Sequence, residues 1–223
     1  MKLVVWDLHG TLEQGNERSV IDISNLVLAE FNYAQRFSYD DNPVLYGIKW
    51  YEYFSWLLPG DSHSRHLELQ EACFKLSETR PDLQCRWMQP TPHAISVLTA
   101  VKAGHDQILI SNTRPSSLAM FIKTLGYGKF FSPSNAFAVD AHTTEARLTK
   151  ADVLAKYLAD TNRSYDELLI VGDSPSDMKL RDVSGGITYL YAHPGLGFRP
   201  CDADFKIGDL REILQRIKVP VSA

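Results

Sequence analysis

The sequence predicts an α/β fold, a doubly wound parallel sheet interrupted after its first strand by an all-helical insertion. Three observations predict it. Short apolar runs rich in β-branched residues, at 3–6, 108–110 and 168–171, lack the alternation of a half-exposed strand and suit strands covered on both faces. The segments between the later runs carry apolar residues at helical spacing. Residues 15–88 look different, with helical stretches and no convincing strand.

In chain order, Leu3, Val4, Val5 and Trp6 form the first strand, and Asp7, His9 and Thr11 follow at its carboxyl end. Within the insertion, one helix is expected near 20–35. A second starts at Asn42-Pro43, with Asn as N-cap and Pro in the first turn, and runs to about Pro59-Gly60. A third covers about 64–78, before Pro81. From about residue 90 helices and strands alternate, as in a right-handed, Rossmann-like sheet. Its further strands are expected at 107–111, 136–139, 168–172 and 187–191. Leu118, Phe121, Ile122 and Leu125 are spaced i, i+3, i+4, i+7, with Gly126 where a C-terminal cap belongs. Val153, Leu154, Tyr157 and Leu158 mark another helix, and Leu210, Ile213, Leu214 and Ile217 a last one. The expected division is an α/β domain of 1–14 and 89–223, and a helical domain of 15–88.

A length of 223 residues allows one large domain or a domain with a sizeable insertion, and 44% hydrophobic with 22% charged residues argues against disorder. A net charge of −4 without a long basic run gives no reason to expect nucleic acid as a partner. Cys73, Cys85 and Cys201 are odd in number and far apart, which fits reduced thiols in a cytoplasmic setting. The apolar run at 3–6 is too short for a secretory leader. No stretch reaches the roughly 18 apolar residues of a membrane helix, so a soluble protein with no membrane partner is expected.

In an open parallel sheet, ligands bind beyond the carboxyl ends of the strands. Three strands end there in Asp7 and His9, in Ser111 and Asn112, and in Asp173 and Asp177. Carboxylates brought so close raise one another's pKa unless a cation sits among them. Oxygen-only ligands with room for water favour Mg²⁺ over Ca²⁺.

The blocks VVWDLHGTL at 4–12, ILISN at 108–112, Lys150 and VGDSPSD at 171–177 resemble the four motifs of the haloacid dehalogenase (HAD) superfamily, in family order and with similar spacing. The resemblance covers the whole chain, and the insertion is similar to the family's small C1-type cap. It implies a Mg²⁺-dependent phosphate monoester hydrolase in which Asp7 attacks phosphorus and forms an aspartyl-phosphate. It further implies that Asp7, the backbone carbonyl of His9, Asp173 and Asp177 serve the metal, with Asp177 a ligand or one step removed. Ser111, the Asn112 backbone N–H and Lys150 would bind phosphoryl oxygens. Arg147, Lys123 and Lys156 are other cations near Lys150.

His9 departs from the family pattern, which usually has a second Asp at this position to protonate the leaving group and then activate water. Histidine can do both, since its pKa lies near neutrality, but it is bulkier and cationic as an acid. Three readings therefore stay open. The substrate is a small phosphorylated metabolite, or a phosphotyrosine protein whose ring stacks on the aromatic-rich cap, or the chain binds a phospho-ligand with little or no turnover. A phosphonate hydrolase would need a cap lysine, Lys49 or Lys75, for a Schiff base. A dehalogenase is disfavoured by the acidic block at 172–174. In the cap, Lys49 and Trp50 lie in a stretch resembling the part of C1 caps that reaches the substrate. Most other cap aromatics should pack its interior, and His63 and His66 are expected to be exposed at a helix end rather than metal ligands.

Overall fold

The computed structural model describes residues 1–140, 148–161 and 163–217. The chain forms two compact units, Met1–Gln14 with Pro90–Ala223, and Gly15–Gln89.

Strand β1 (Lys2–Trp6) begins the first unit. Glu13–Gln14 (β2) and Gln89–Pro90 (β3) make a separate two-stranded sheet. Four longer segments then supply strands, β4 (Asp106–Ser111), β5 (Ala136–Ala138), β6 (Glu167–Gly172) and β7 (Ile187–Tyr191). Phe205–Ile207 adds β8, a strand the sequence did not announce. Among the described residues the main sheet has the order β5-β4-β1-β6-β7-β8, with every pairing parallel. Strand β1 lies in the middle, with Val5 opposite Ile108 on one side and Ile170 on the other.

Burial explains why these runs are strands. Leu3, Val5, Ile108, Ile110 and Ile170 share a core cluster with Leu154 and Leu180, while the intervening Val4, Trp6, Leu109 and Leu169 are also buried. Each such side chain taken out of water contributes about 1.5–3 kcal/mol, which no alternating pattern could match on both faces.

The helices of this unit are α6 (Ala94–Lys102), α7 (Pro115–Thr124), α8 (Lys150–Asp160) and the short α9 (Pro175–Met178) and α10 (Arg181–Ser184), after five in the second unit. Helix α7 starts on Pro115 and ends in a Schellman motif. The Tyr127 N–H donates to the Ile122 carbonyl at 2.9 Å and the Gly126 N–H to that of Lys123 at 3.1 Å. Helix α8 opens with a capping box between Thr149 and Asp152, which sets Lys150 in its first turn. The expected C-terminal helix is a 3₁₀ segment, Leu210–Gln215, capped by Asp209.

The second unit is helical, comprising α1 (Asn16–Glu30), α2 (Asn42–Leu45), α3 (Trp50–Leu57), α4 (His63–Thr79) and α5 (Pro81–Gln84). The single helix expected over 42–60 is two. Gly47 takes φ 80°, a left-handed conformation that stops one helix before the next begins at Trp50. Ile21, Val27, Leu45, Phe54, Leu69 and Phe74 belong to this unit's own core. Among the described residues no helix is long and apolar enough to cross a membrane.

Candidate active site

The chain leaves β1 at Asp7, whose N–H donates to the Val171 carbonyl of β6 at 2.9 Å. The next turn is tight, with the Thr11, Leu12 and Glu13 N–H groups all directed to the Leu8 carbonyl. It returns the Thr11 hydroxyl towards Asp7 Oδ2, 3.4 Å away. Ser111 ends β4 on one side of β1, and Asp173 follows β6 on the other. The strand order β4-β1-β6 alone therefore gathers these groups at one sheet edge.

Asp7, Asp173 and Asp177 are buried, and each offers a carboxylate oxygen within 4.8 Å of the others. Lys150 joins them from the first turn of α8. Its Nζ lies 2.5 Å from Asp7 Oδ1 and 2.6 Å from Asp177 Oδ1. Asp177 also closes the N-terminus of α9, accepting from the Ser174 N–H at 3.1 Å and its hydroxyl at 2.5 Å. It thus serves both as a cap and as part of the cluster. Gly172 permits this approach, because a Cβ there would lie 2.3 Å from the Asp177 Cβ and Cγ.

The electrostatics follow from burial. Desolvation pushes Asp7 above the ordinary carboxylate range, Lys150 opposing it and Asp177 adding to it. Asp173 is pushed up to about 7, chiefly by burial and by the Asp7 charge, against the pull of Arg199. Burial also works against the Lys150 ammonium, but Asp177 and Asp7 outweigh it and hold its pKa above the usual lysine value. Asp7 and Asp173 resist ionisation, and with Asp177 beside them the three form an oxygen-only set that a hard divalent cation relieves. Mg²⁺ fits these residues on that ground.

Ser111 is fully buried at the edge of the cluster's sheet, and its Oγ has no hydrogen-bond partner among the described residues. An orphaned hydroxyl at this depth costs free energy unless a ligand atom completes it. Asn112 is half-buried, with Nδ2 3.4 Å from Ser176 Oγ. Lys123 and Lys156 are exposed, and Lys156 pairs with Asp160, while Arg147 lies outside the described residues.

His9 is half-buried. Its Nδ1 lies 2.9 Å from Glu13 Oε2, and its ring meets Phe121 edge-on at 5.1 Å between centroids. Glu13 was not singled out from the sequence, although its place four residues after His9 was a visible signal. Arg199, whose Nη2 is 2.9 Å from Asp173 Oδ2, was also missed, and no local pattern marks it.

One expectation for the helical unit needs correction, and one of its residues is committed to packing. Trp50 is buried, donates its indole N–H to Ser24 Oγ at 2.7 Å and meets Phe74 edge-on, so its side chain is engaged in that unit's core. His66 is buried rather than exposed, with Nε2 3.0 Å from the Leu58 carbonyl oxygen. Lys49 and Lys75 are exposed, as is His63.

No curated protein sequence compared with the chain matches it. Its fold is similar to several solved structures at low identity. A haloacid dehalogenase-like family hydrolase from Streptococcus pneumoniae superposes with a TM-score of 0.71 at 17% identity, covering 97% of this chain and 98% of that one. A protein from Haemophilus somnus named as a predicted phosphoglycolate phosphatase gives 0.76 at 16%, covering 98% of each. A HAD family hydrolase from Deinococcus radiodurans, solved with bound phosphate and sodium, gives 0.66 at 15%, covering 96% and 94%. The family model for haloacid dehalogenase-like hydrolases matches residues 1–180, and the chain belongs to that family.

Proposed function

We propose that the chain is a Mg²⁺-dependent phosphatase that hydrolyses phosphate monoesters of small metabolites through an aspartyl-phosphate on Asp7. The observation that carries this reading is the buried group of Asp7, Asp173 and Asp177, with Lys150 bridging Asp7 and Asp177, one strand away from the Ser111 hydroxyl, which has no partner among the described residues. The bound phosphate of the Deinococcus radiodurans relative and the name of the Haemophilus somnus relative support the substrate class. Free thiols at Cys73, Cys85 and Cys201 fit the cytoplasm.

Asp7, the His9 carbonyl, Asp173 and Asp177 would hold the metal. When bound, Mg²⁺ neutralises charge on the phosphoryl oxygens. Asp7 attacks phosphorus while the bond to the leaving oxygen breaks, and His9 gives that oxygen a proton. His9 then takes a proton from the water that attacks the phosphoryl-enzyme, and the bond from phosphorus to the Asp7 oxygen breaks. Ser111, the Asn112 N–H and Lys150 bind the transferring group throughout, so its charge develops against fixed donors. Residues 15–88 would act as the cap, with Lys49 the exposed cation offered for recognition of the leaving group.

The test is p-nitrophenyl phosphate hydrolysis with and without Mg²⁺ for wild type, Asp7→Asn, His9→Ala and His9→Asp. Mg²⁺-dependent turnover that vanishes in Asp7→Asn and falls sharply in His9→Ala is expected. An inert wild type with an active His9→Asp would overturn the phosphatase reading in favour of a phospho-ligand binder. Within a substrate panel, sugar and carboxylic acid phosphates are expected to outpace phosphotyrosine peptides.

A further inference from the structure

We propose that Glu13 is a positioning residue for His9, and that the two side chains together occupy the role for which a single acid would suffice. The inference rests on the reading of His9 as the acid and base of the phosphatase.

Glu13 is only 1% exposed, a place where a carboxylate is costly unless it is engaged. An apolar side chain of the same length would pack there without that penalty. The carboxylate instead reaches the His9 ring, 2.9 Å from Nδ1. Since an ionised carboxylate can only accept, Nδ1 must carry the proton. In a neutral imidazole that leaves the lone pair on Nε2, the nitrogen remote from Glu13. Phe121, packed edge-on against the same ring, limits its rotation.

The Glu13 backbone is held at both ends, which makes the carboxylate a fixed reference. Its N–H donates to the Leu8 carbonyl at 2.9 Å. Its carbonyl accepts from Nε2 of His193 at 3.2 Å. His193 is itself buried, and its Nδ1 lies 3.2 Å from the Tyr191 hydroxyl at the end of β7. Glu13 is thus tied to the β1 turn and to the end of β7, and its side chain orients a catalytic imidazole as a third group orients a base in hydrolytic triads. Glu13 accepts a hydrogen bond throughout and neither gains nor loses a proton in the reaction.

Imidazole ¹⁵N NMR on the full chain, with His9 assigned from its loss in His9→Asn, tests the idea apart from turnover. The expected result is a protonated Nδ1 in the wild type and a bare Nδ1 in Glu13→Met, which keeps the volume and removes the acceptor. Glu13→Gln, which retains an acceptor oxygen, should keep Nδ1 protonated. On p-nitrophenyl phosphate, Glu13→Met should lower kcat about 10–100-fold with KM within about twofold, and Glu13→Gln should recover part of that loss. A bare Nδ1 in the wild type overturns the proposal even if Glu13→Met does not fold. An unchanged Nδ1 in a folded Glu13→Met overturns it as well. An inert wild type whose His9 responds to Glu13 in this way would instead count against the phosphatase reading alone.

Discussion

Lys150 and Asp7 are separated by 143 residues, yet the ammonium of one lies 2.5 Å from a carboxylate oxygen of the other in a buried cluster. The same ammonium reaches Asp177, so one cation in the first turn of α8 links the end of β1 to α9. Removing one partner of such a buried pair leaves charge uncompensated. Lys150→Met should therefore destabilise the metal-free protein by about 3 kcal/mol, the low end of the usual range because a carboxylate can escape by taking up a proton. Loss of a phosphoryl donor should also lower kcat/KM by about 10²–10³-fold. Thermal unfolding with and without Mg²⁺ reads the first effect, and the metal should raise the Tm of the variant more than that of the wild type. Equal metal-free stability would mean that Lys150 does not hold the cluster together.

The position of Asp173 predicts a pH dependence with a definite sign. Its pKa in the folded chain is about 7, above the ordinary 3.8, so between those values the folded state holds a proton that the unfolded state has lost. Stability therefore falls as pH rises from about 4 to about 7. Asp173→Asn removes this penalty. At pH 8 and without metal, the variant should be more stable than the wild type by on the order of 2–4 kcal/mol, and the two should converge near pH 4. Mg²⁺ should restore the wild type at pH 8 and do little for the variant. Parallel stability curves across that range would show that Asp173 is not the titrating group.

Much of this arrangement was legible in the sequence, and the reason is physical. Strands β1, β4 and β6 are buried on both faces, so their apolar runs stand out, and their carboxyl ends fall where Asp7, Ser111 and Asp173 were expected. Strand β8 is three residues long with Phe205 and Lys206 exposed, too short and too mixed to carry a pattern. The apolar spacing through Leu45, Tyr53 and Phe54 outlasts the break at Gly47, because both short helices face the same core. In the cluster, the local pair His9 and Glu13 could have been found from their spacing. The contact of Arg199 with Asp173 could not, since it joins loops that only the fold brings together.

Gly172 tests how closely the cluster depends on backbone approach. The space that a Cβ would need is filled by the side chain of Asp177, whose nearest atoms lie 2.3 Å from it. In Gly172→Ala the start of α9 must move, because Asp177 cannot simply swing aside while it caps Ser174 and pairs with Lys150. A loss of about 1–3 kcal/mol in stability is expected from the overpacking. Mg²⁺ affinity measured by calorimetry should fall about tenfold or more as Asp177 leaves its partners. A variant that binds Mg²⁺ as the wild type does would show that Asp177 lies outside the metal's coordination.

Neighbouring residues of the helical unit separate packing from substrate contact. The Trp50 indole N–H is committed to Ser24 and its ring to Phe74, whereas Lys49 is exposed. Trp50→Phe should cost about 1–2 kcal/mol, through the lost hydrogen bond to Ser24, whose hydroxyl keeps the Val20 carbonyl as its acceptor, and through the smaller ring against Phe74, and should leave kcat/KM for small phosphate esters nearly unchanged. Lys49→Ala should do the reverse, leaving the Tm within about a degree and raising KM severalfold for an anionic leaving group while p-nitrophenyl phosphate is little affected. The contrast between the two substrates matters. A lysine that meets the leaving group distinguishes an anionic metabolite from a neutral aromatic one, whereas a lysine that only supports the helix would alter both alike. Equal effects on the two substrates would remove Lys49 from the recognition surface and leave specificity to other exposed residues of that unit.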